Sequence, residues 1–247
     1  MARILIPLPD TDFDTTEVAV PWRLLVDAGH EVIFATEKAA VASCDPLLLT
    51  GVLFGQLGAD PDARDCYRQM LASAEFSRPV AWSEIVAADY DAMLLPGGHA
   101  PGMKQYLGSE VLQSKVAGFA ILDRPMAAIC HGVLLLARAR NPAGGLSCLH
   151  GRRTTCLPKY MEALAYGLTF WKLGSYYRTY PAYVEDEVRA ALASPRDFQR
   201  GPLTLGSRGT ASDDRAAFVV EDGNYLSARW PGDAYLLARK LIGRLSA

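Results

Sequence analysis

A cysteine and a histidine stand side by side near the middle of the chain, at Cys130 and His131. They follow a short apolar run, Met126 to Ile129, which is typical of a buried parallel strand, and they precede a helix-favouring segment, Val133 to Ala137. A side chain at such a strand-to-helix turn projects above the carboxyl edge of the sheet, beside the free amides that begin the helix. Because those amides carry partial positive charge, the sequence predicts a nucleophilic thiol that ionises more readily than a free cysteine.

A second candidate for chemistry lies where another buried strand is interrupted. The run Asp91 to Leu95 is apolar and ends at Pro96, Gly97 and Gly98. Two glycines directly after a strand allow the backbone to approach a ligand closely and to present amides to it. The sequence therefore indicates backbone hydrogen-bond donors at Gly97 and Gly98.

The elements that must position these residues alternate between strands and helices. Arg3 to Leu8 and Glu31 to Thr36 are predicted strands, and the helix between them, Glu17 to Ala28, is closed by Gly29. A strand, helix and strand in this order indicate a right-handed crossover in a parallel sheet. Further predicted elements are helices at Asp62–Ala74, Ser83–Ala87, Ser109–Leu122, Lys159–Leu173, Tyr183–Ala193 and Pro231–Leu245, and strands at Thr154–Leu157, Ala217–Val220 and Tyr225–Ala228.

Chain length and composition favour one domain that spans residues 1–247, since 247 residues of which 50% are hydrophobic can form a full core. The stretch from about 37 to 82 is interrupted by proline and glycine and is too long for a simple connection. We interpret it as an insertion or lid with some helix of its own. A second, helical insertion is expected at about 159–195.

Charge and hydropathy exclude several classes of partner. The net charge is −2 and the basic residues are dispersed, which argues against a nucleic-acid or anionic-membrane surface. The apolar run at the start of the chain is too short to be the core of a signal peptide. No later apolar run approaches the roughly 18 residues of a membrane span. We therefore expect a soluble, cytoplasmic protein whose partner is a small molecule or a second copy of itself.

Cysteine and histidine spacing argues against disulfides and metals. The five cysteines are odd in number and lack Cys-x-x-Cys spacing, which suits a reducing compartment and excludes a zinc framework of that type. His99 and His150 are candidates for a metal site, but no spacing such as His-x-x-x-His supports one. We expect no metal and no cofactor.

Four segments taken together resemble the ThiJ/PfpI superfamily, which shares its fold with the class I glutamine amidotransferase domain. They are Glu17, Leu95-Pro-Gly-Gly-His99, Ala128-Ile-Cys-His-Gly132 and Ser227-Ala-Arg-Trp-Pro231. The resemblance covers nearly the whole chain, and the two long insertions make it most similar to the larger chaperone and glyoxalase III branch. It implies an α/β fold with a doubly wound, mostly parallel sheet flanked by helices on both faces. It also implies a homodimer, since relatives commonly form dimers.

The resemblance further implies roles for individual residues. Cys130 would be the nucleophile, Glu17 would face it, His131 would lie beside it, and the amides of Gly98 and His131 would form an oxyanion pocket. In an α-oxoaldehyde such as methylglyoxal, the thiol would attack one carbonyl to give a hemithioacetal. Proton transfer between the two carbons, helped by Glu17 or His131, and hydrolysis would then release lactate without a cofactor.

Several positions leave alternatives open. Many members of the branch carry an orienting acid after a strand and a proline, where this chain has Lys159, so either Glu162 substitutes, or an acid arrives from elsewhere, or the triad is incomplete. Glu17 alone would also suit the first turn of a helix. The ring of His131 could point away from the thiol, because adjacent residues of a helix do not face each other.

Substrate contacts and function are likewise open. Arg229 and Trp230 lie in a loop that is near the thiol in relatives, where an arginine could hold an anionic substrate or could merely cap a helix; His99 is a further candidate for substrate binding. The tyrosines at 176–183 suit a pocket or a dimer interface. The favoured hypothesis is a cysteine enzyme acting on small reactive carbonyls, or a related hydrolase. The alternatives are a redox-sensing or chaperone-like stress protein with an oxidisable Cys130 and a catalytically silent domain.

Overall fold

In the computed structural model, residues 1–52, 57–204 and 206–246 are described. Seven strands form one sheet in the order β3-β2-β1-β4-β5-β7-β6, and every neighbouring pair is parallel except β6 with β7. The strands are β1 (Arg3–Pro7), β2 (Glu31–Thr36), β3 (Val80–Ala81), β4 (Ala92–Leu95), β5 (Met126–Ile129), β6 (Val219–Asp222) and β7 (Tyr225–Ala228). All residues of β4, β5 and β7 are buried, as expected for strands that helices cover on both faces.

Ten α-helices accompany the sheet within the described residues. They are α1 (Thr15–Asp27), α2 (Pro46–Thr50), α3 (Pro61–Leu71), α4 (Ala74–Ser77), α5 (Met103–Gly108), α6 (Glu110–Ala120), α7 (Val133–Arg138), α8 (Lys159–Leu173), α9 (Val184–Ala191) and α10 (Ala234–Leu245). Helix α1 packs against α3 and α10, whereas α7 packs against α5, α6 and α9. These contacts define two helical layers, as a doubly wound sheet requires.

The order of the strands indicates where in the sheet a ligand site is expected. The chain moves from β1 outward to β2 and β3, and then returns to β4 on the other side of β1, so the winding direction reverses between β1 and β4. In open α/β sheets, the connections after the strands on either side of such a reversal diverge and leave a crevice at the carboxyl edge. The loops after β1, β4 and β5, which carry Glu17, Gly97 and Cys130, all begin at this edge.

The predicted α/β class and doubly wound sheet are confirmed, and most differences concern boundaries. The strands β2 and β5 and the helix α8 have the predicted limits. The segment at Thr154–Leu157, predicted as a strand, forms only an isolated bridge between Thr154 and Phe198. The stretch interpreted as an insertion contains α2, α3, α4 and the edge strand β3, and its residues 53–56 lie outside the described residues.

Hydropathy along the helices bears on membrane insertion. In the parts of the chain that the structure describes, no helix is both long enough and apolar enough to cross a membrane.

Candidate active site

The turn after β5 holds Cys130 in a strained conformation. Its φ angle is +57°, in the left-handed region that residues other than glycine seldom occupy, and a short 3₁₀ turn over Cys130–Gly132 leads into α7. Gly132 permits this turn because a Cβ there would lie 2.2 Å from the carbonyl oxygen of Leu95. The end of β4 therefore presses on the turn and keeps the buried thiol in place.

The first turn of α1 delivers Glu17 to the same place. Asp14 caps the helix, with its carboxylate accepting hydrogen bonds from the amides of Thr16 and Glu17 at 2.8 and 3.0 Å. Glu17 is fully buried, and its Oε2 accepts a hydrogen bond of 2.8 Å from the Gly97 amide. Its Oε1 is buried and has no nitrogen or oxygen partner among the described residues, and the Cys130 thiol hydrogen-bonds the carboxyl group. The carboxyl of Glu17 therefore contacts both the Gly97 amide and the thiol.

Burial governs the protonation of the carboxyl groups. Desolvation, and then the charge of Asp14, raises the pKa of Glu17 well above its ordinary value, which favours the protonated carboxyl. Burial also raises the pKa of Asp14, to about 6. Asp14 and Glu17 lie three residues apart, and of the two only Asp14 is readily ionised.

The thiol is not activated in the way that the sequence indicated. Burial, followed by the charges of Glu17 and Asp14, raises the pKa of Cys130 well above that of a free thiol, and the hydrogen bond from the His131 amide lowers it only in part. The prediction that the thiol ionises more readily than a free cysteine is therefore wrong, because desolvation by the closed site outweighs the His131 amide. The resting form is the thiol, and a base must take its proton.

The ring of His131 lies beside the thiol. Its Nδ1 lies 3.5 Å from the sulfur of Cys130, so the ring faces the thiol although the two residues are adjacent. Burial, and then the neighbouring His99 and Arg138, lowers the pKa of His131 to about 3. The imidazole is therefore neutral, and in the tautomer with an unprotonated Nδ1 it can accept a proton.

The acid that orients a histidine in a triad is not supplied by Glu162. Glu162 is buried, and its Oε2 accepts a hydrogen bond of 3.0 Å from the Val184 amide at the start of α9. Lys159, at the position where the acid was sought, pairs with Asp186 at 2.6 Å. Among the described residues, no carboxylate hydrogen-bonds the ring of His131. The site is a cysteine, histidine and glutamate cluster rather than a triad.

Replacement of Glu162 by glutamine is expected to stabilise the protein at alkaline pH. Burial raises the pKa of Glu162 from 4.5 to about 7, so the folded chain binds more protons than the unfolded chain between these values. The stability of the parent therefore falls as pH rises through this window, and glutamine removes that loss, which amounts to about 1 to 3 kcal/mol at pH 8. Urea unfolding of both proteins at pH 4.5 and pH 8 measures it. A variant whose unfolding free energy follows the parent's across this range would contradict the assignment.

The backbone amides of Gly97 and Gly98 differ in whether they already donate a hydrogen bond. The Gly97 amide is used by Glu17, so it does not fit the predicted part in an oxyanion pocket. The Gly98 amide donates no hydrogen bond within the described residues. Gly98 has a φ of +151°, and a Cβ there would lie 2.9 Å from the carbonyl oxygen of Asp12. Only glycine fits this position without strain, which brings its amide to the edge of the site.

Arg229, a candidate for substrate binding, is held by protein groups instead. Its side chain is fully buried and forms a two-pronged ion pair with Asp233, with Nε to Oδ2 at 2.9 Å and Nη2 to Oδ1 at 2.8 Å. Its remaining donors reach the carbonyl oxygens of Pro202 and Ala216. The suggestion that Arg229 binds an anion is wrong, because its guanidinium is already fully engaged in tying the loop before β6 to the start of α10.

A cavity of about 270 Å³ opens above the thiol. Cys130 lies in its wall together with His99 and Trp230, two of the residues proposed to contact substrate. The ring of Tyr177 packs on that of His99, with 4.1 Å between centroids, and His99 stacks on His131 at 6.3 Å. The further residues around the cavity are mostly apolar and come from α2, residues 57–59, α8 and the start of the last helical segment: Leu48, Leu57, Ala59, Leu157, Met161, Leu164, Ala165, Leu168 and Pro231.

Three residues of this wall were not singled out from the sequence as site residues. Asp14 was not considered as a site residue, although its spacing of three from Glu17 on one helical turn is a signal that both carboxyls share a side. Tyr177 belonged to a tyrosine run that suited either a pocket or an interface. Arg208 comes from an irregular loop, and no local pattern points to it.

Metal binding has no support in the geometry. Among the described residues, no three His, Cys, Asp or Glu side chains gather closely enough to hold an ion.

Comparison with known proteins finds similarity across nearly the whole chain, as three examples show. It is 30% identical to an uncharacterised protein of Schizosaccharomyces pombe, over 97% of this chain and 82% of that protein. It is 25% identical to a deglycase of Pyrococcus abyssi, over 97% of both chains. Its fold matches that of glyoxalase III from Candida albicans with a TM-score of 0.69 and 16% identity, over 98% of this chain and 97% of the other.

These similarities agree with the expected superfamily and with the fold of its glyoxalase III branch. Residues 8–202, which carry Glu17, the glycines after β4 and the turn at Cys130, match the family described as ThiJ/PfpI family-like. The chain therefore belongs to the ThiJ/PfpI family.

Proposed function

We propose that the protein is a cofactor-independent cysteine enzyme that converts α-oxoaldehydes to hydroxy acids. The observation that carries this proposal is the contact of 3.5 Å between the sulfur of Cys130, which lies in the cavity wall, and the ring of His131. The pKa of the buried Glu17 carboxyl is raised, so the arrangement can provide a nucleophile, a base and an acid without a metal. The deglycase and the glyoxalase III among the similar proteins agree with chemistry on reactive carbonyls.

The first step is addition of the thiol to the aldehyde carbon. The sulfur forms a bond to that carbon, the carbonyl π pair moves to the oxygen, and the thiol proton passes to Nδ1 of His131. The oxygen then takes a proton from Glu17, whose raised pKa keeps it protonated for this purpose, while the Gly98 amide is free to stabilise the developing charge. The product is a hemithioacetal.

The second step moves hydrogen between the two carbons of the substrate. The carboxylate left on Glu17 removes the proton of the former aldehyde carbon, and the ketone oxygen takes the proton that His131 received from the thiol, which gives an enediol. The hydroxyl on the sulfur-bearing carbon then returns a proton to His131, while the neighbouring carbon takes the proton from Glu17. This isomerisation yields a thioester of the hydroxy acid. Water then cleaves the bond between sulfur and the acyl carbon, which releases the acid and restores the thiol. No external oxidant or reductant is consumed.

A redox-sensing role is supported less well. Cysteines that sense peroxide are accessible and have a lowered pKa, since the thiolate is the species that is oxidised. Cys130 is 2% exposed and its pKa is raised. A triad hydrolase is also less well supported, because no acid orients His131 among the described residues.

The direct test is formation of lactate from methylglyoxal by the purified protein with no added thiol or cofactor. Enzymatic determination of lactate together with loss of the dicarbonyl should show turnover that saturates with substrate. Loss of methylglyoxal without lactate, as in simple adduct formation on lysine and arginine, would contradict the proposed reaction.

Glu17→Gln is expected to lower kcat by about 10²-fold or more with little change in stability. Glutamine is also neutral and can accept the hydrogen bond from the Gly97 amide, so the fold is preserved while the transferable proton is lost. Initial rates of lactate formation and thermal unfolding of parent and variant measure the two effects. A variant that turns over at the parent's rate would remove Glu17 from the mechanism.

A further inference from the structure

We propose that the cavity above Cys130 accepts α-oxoaldehydes with a bulky, uncharged and apolar substituent, an aryl or branched alkyl group, in preference to methylglyoxal. This inference rests on the proposed dicarbonyl activity and specifies its substrate class. It is carried by the size of the cavity, the apolar chemistry of its wall and the charged groups that line it.

The size of the cavity exceeds what a three-carbon substrate needs. Its volume is about 270 Å³. An apolar cavity of roughly 150 Å³ is enough to bind a benzene ring. The cavity therefore has room for an aromatic ring together with a dicarbonyl group, whereas the methyl group of methylglyoxal would leave most of the wall without a contact.

The wall opposite the thiol is built for apolar contact. Met161, Leu164 and Leu168 face the cavity from α8, and Leu48 and Leu57 face it from the other side. Leu164 and Leu168 remain 47% and 44% exposed, so part of this apolar surface is solvated in the free protein. An apolar substituent would displace that water, which is favourable in proportion to the area covered.

The charged groups of the wall disfavour an anionic substituent. Two acids, Asp14 and Glu162, line the cavity. The cation Arg208 also lines it, but its guanidinium pairs with Asp60 at 3.3 Å and lies over the ring of Trp230, 5.2 Å from the centroid. A carboxylate or phosphate on the substrate would thus meet two carboxyl groups and a cation that is already paired. An uncharged substituent meets no such penalty.

The first test compares phenylglyoxal with methylglyoxal on the parent protein. The value of kcat/KM is expected to be at least about 10-fold higher for phenylglyoxal, because the ring covers apolar surface that the methyl group cannot reach. Equal or lower values for phenylglyoxal, with methylglyoxal turned over in a Cys130-dependent way, would overturn this inference and leave the proposed reaction standing.

A substitution in the wall separates binding from the intrinsic reactivity of the two aldehydes. Ala165→Phe fills the cavity, and the ratio of the two kcat/KM values is expected to fall by at least about 10-fold, through loss of phenylglyoxal turnover. Ala163→Phe is the matched control, since Ala163 lies on the same helix with similar partial burial but outside the cavity wall. A ratio that changes equally in both variants would contradict the assignment of this wall.

A binding measurement makes failure of the inference distinguishable from failure of the proposed reaction. Acetophenone, which keeps the aryl ketone but lacks the aldehyde, is titrated into Cys130→Ser protein by calorimetry, with acetone as comparison. Saturable binding of acetophenone that Ala165→Phe weakens supports the cavity assignment even if no turnover is seen. Absence of any preference for acetophenone over acetone would overturn it.

Discussion

Cys130→Ser is expected to reduce formation of hydroxy acid from methylglyoxal or phenylglyoxal by at least about 10⁴-fold, because the proposed route has no step without the sulfur. Serine keeps the size of the side chain and its place in the turn, but its hydroxyl has a far higher pKa than a thiol. Steady-state rates of acid formation measure the loss.

A matched control is available in the same chain. Cys66 lies on α3, is partly exposed and is not part of the cavity, so Cys66→Ser should keep the parent's rate. Thermal unfolding of both variants should remain near that of the parent, since neither substitution changes the packing volume greatly. If Cys130→Ser and Cys66→Ser turn over the substrate equally, the nucleophilic role of Cys130 is excluded.

Arg229→Met is expected to destabilise the fold by about 3 to 5 kcal/mol, the usual loss when one partner of a buried ion pair is removed. Asp233 is fully buried, and it also accepts hydrogen bonds from the amides of Arg229 and Phe218. Without the guanidinium its carboxylate would be left unpaired in an apolar setting. Urea unfolding monitored by circular dichroism measures the change.

The double variant Arg229→Met with Asp233→Asn provides the comparison. Asparagine is neutral, and its single side-chain oxygen can still accept from one of the two amides, so part of the lost stability should return. The KM for a dicarbonyl, measured on folded Arg229→Lys protein, should equal that of the parent, because the guanidinium does not face the cavity. A raised KM with unchanged stability would restore Arg229 as a substrate-binding residue.

Local patterns were sufficient for the framework of the fold. The strands β2 and β5 are short apolar runs flanked by polar or turn residues, and α8 follows a proline and ends before Gly174, so their limits follow from composition alone. The prediction of a strand at Thr154–Leu157 failed because this segment borders no continuous strand. It is fixed instead by side chains, including a hydrogen bond of 2.9 Å between the hydroxyls of Thr154 and Tyr225, which are distant in sequence.

The sequence was sufficient to predict which residues form the candidate site, but not how their pKa values shift. The positions of Cys130, Glu17 and the glycines after β4 follow from their places after strands, since these loops meet at one edge of the sheet. The direction in which the pKa of the Cys130 thiol shifts does not follow from the sequence. It depends on how completely the site excludes water and on two carboxyl groups that lie far from Cys130 along the chain. Likewise, the pairing of Arg229 depends on the buried Asp233, and only the folded chain shows that its donors are used up.

The reacting groups and the cavity wall come from different parts of the molecule. Cys130, His131 and Glu17 are held by turns at the edge of the sheet, where the close contact of Gly132 with the end of β4 leaves no freedom to change position. The apolar wall comes largely from α8 and from residues 57–59, which are not strands of that sheet. Substitutions can therefore accumulate in the wall without disturbing the nucleophile. Substrate range can diverge among descendants of this chain while the reaction itself is inherited unchanged.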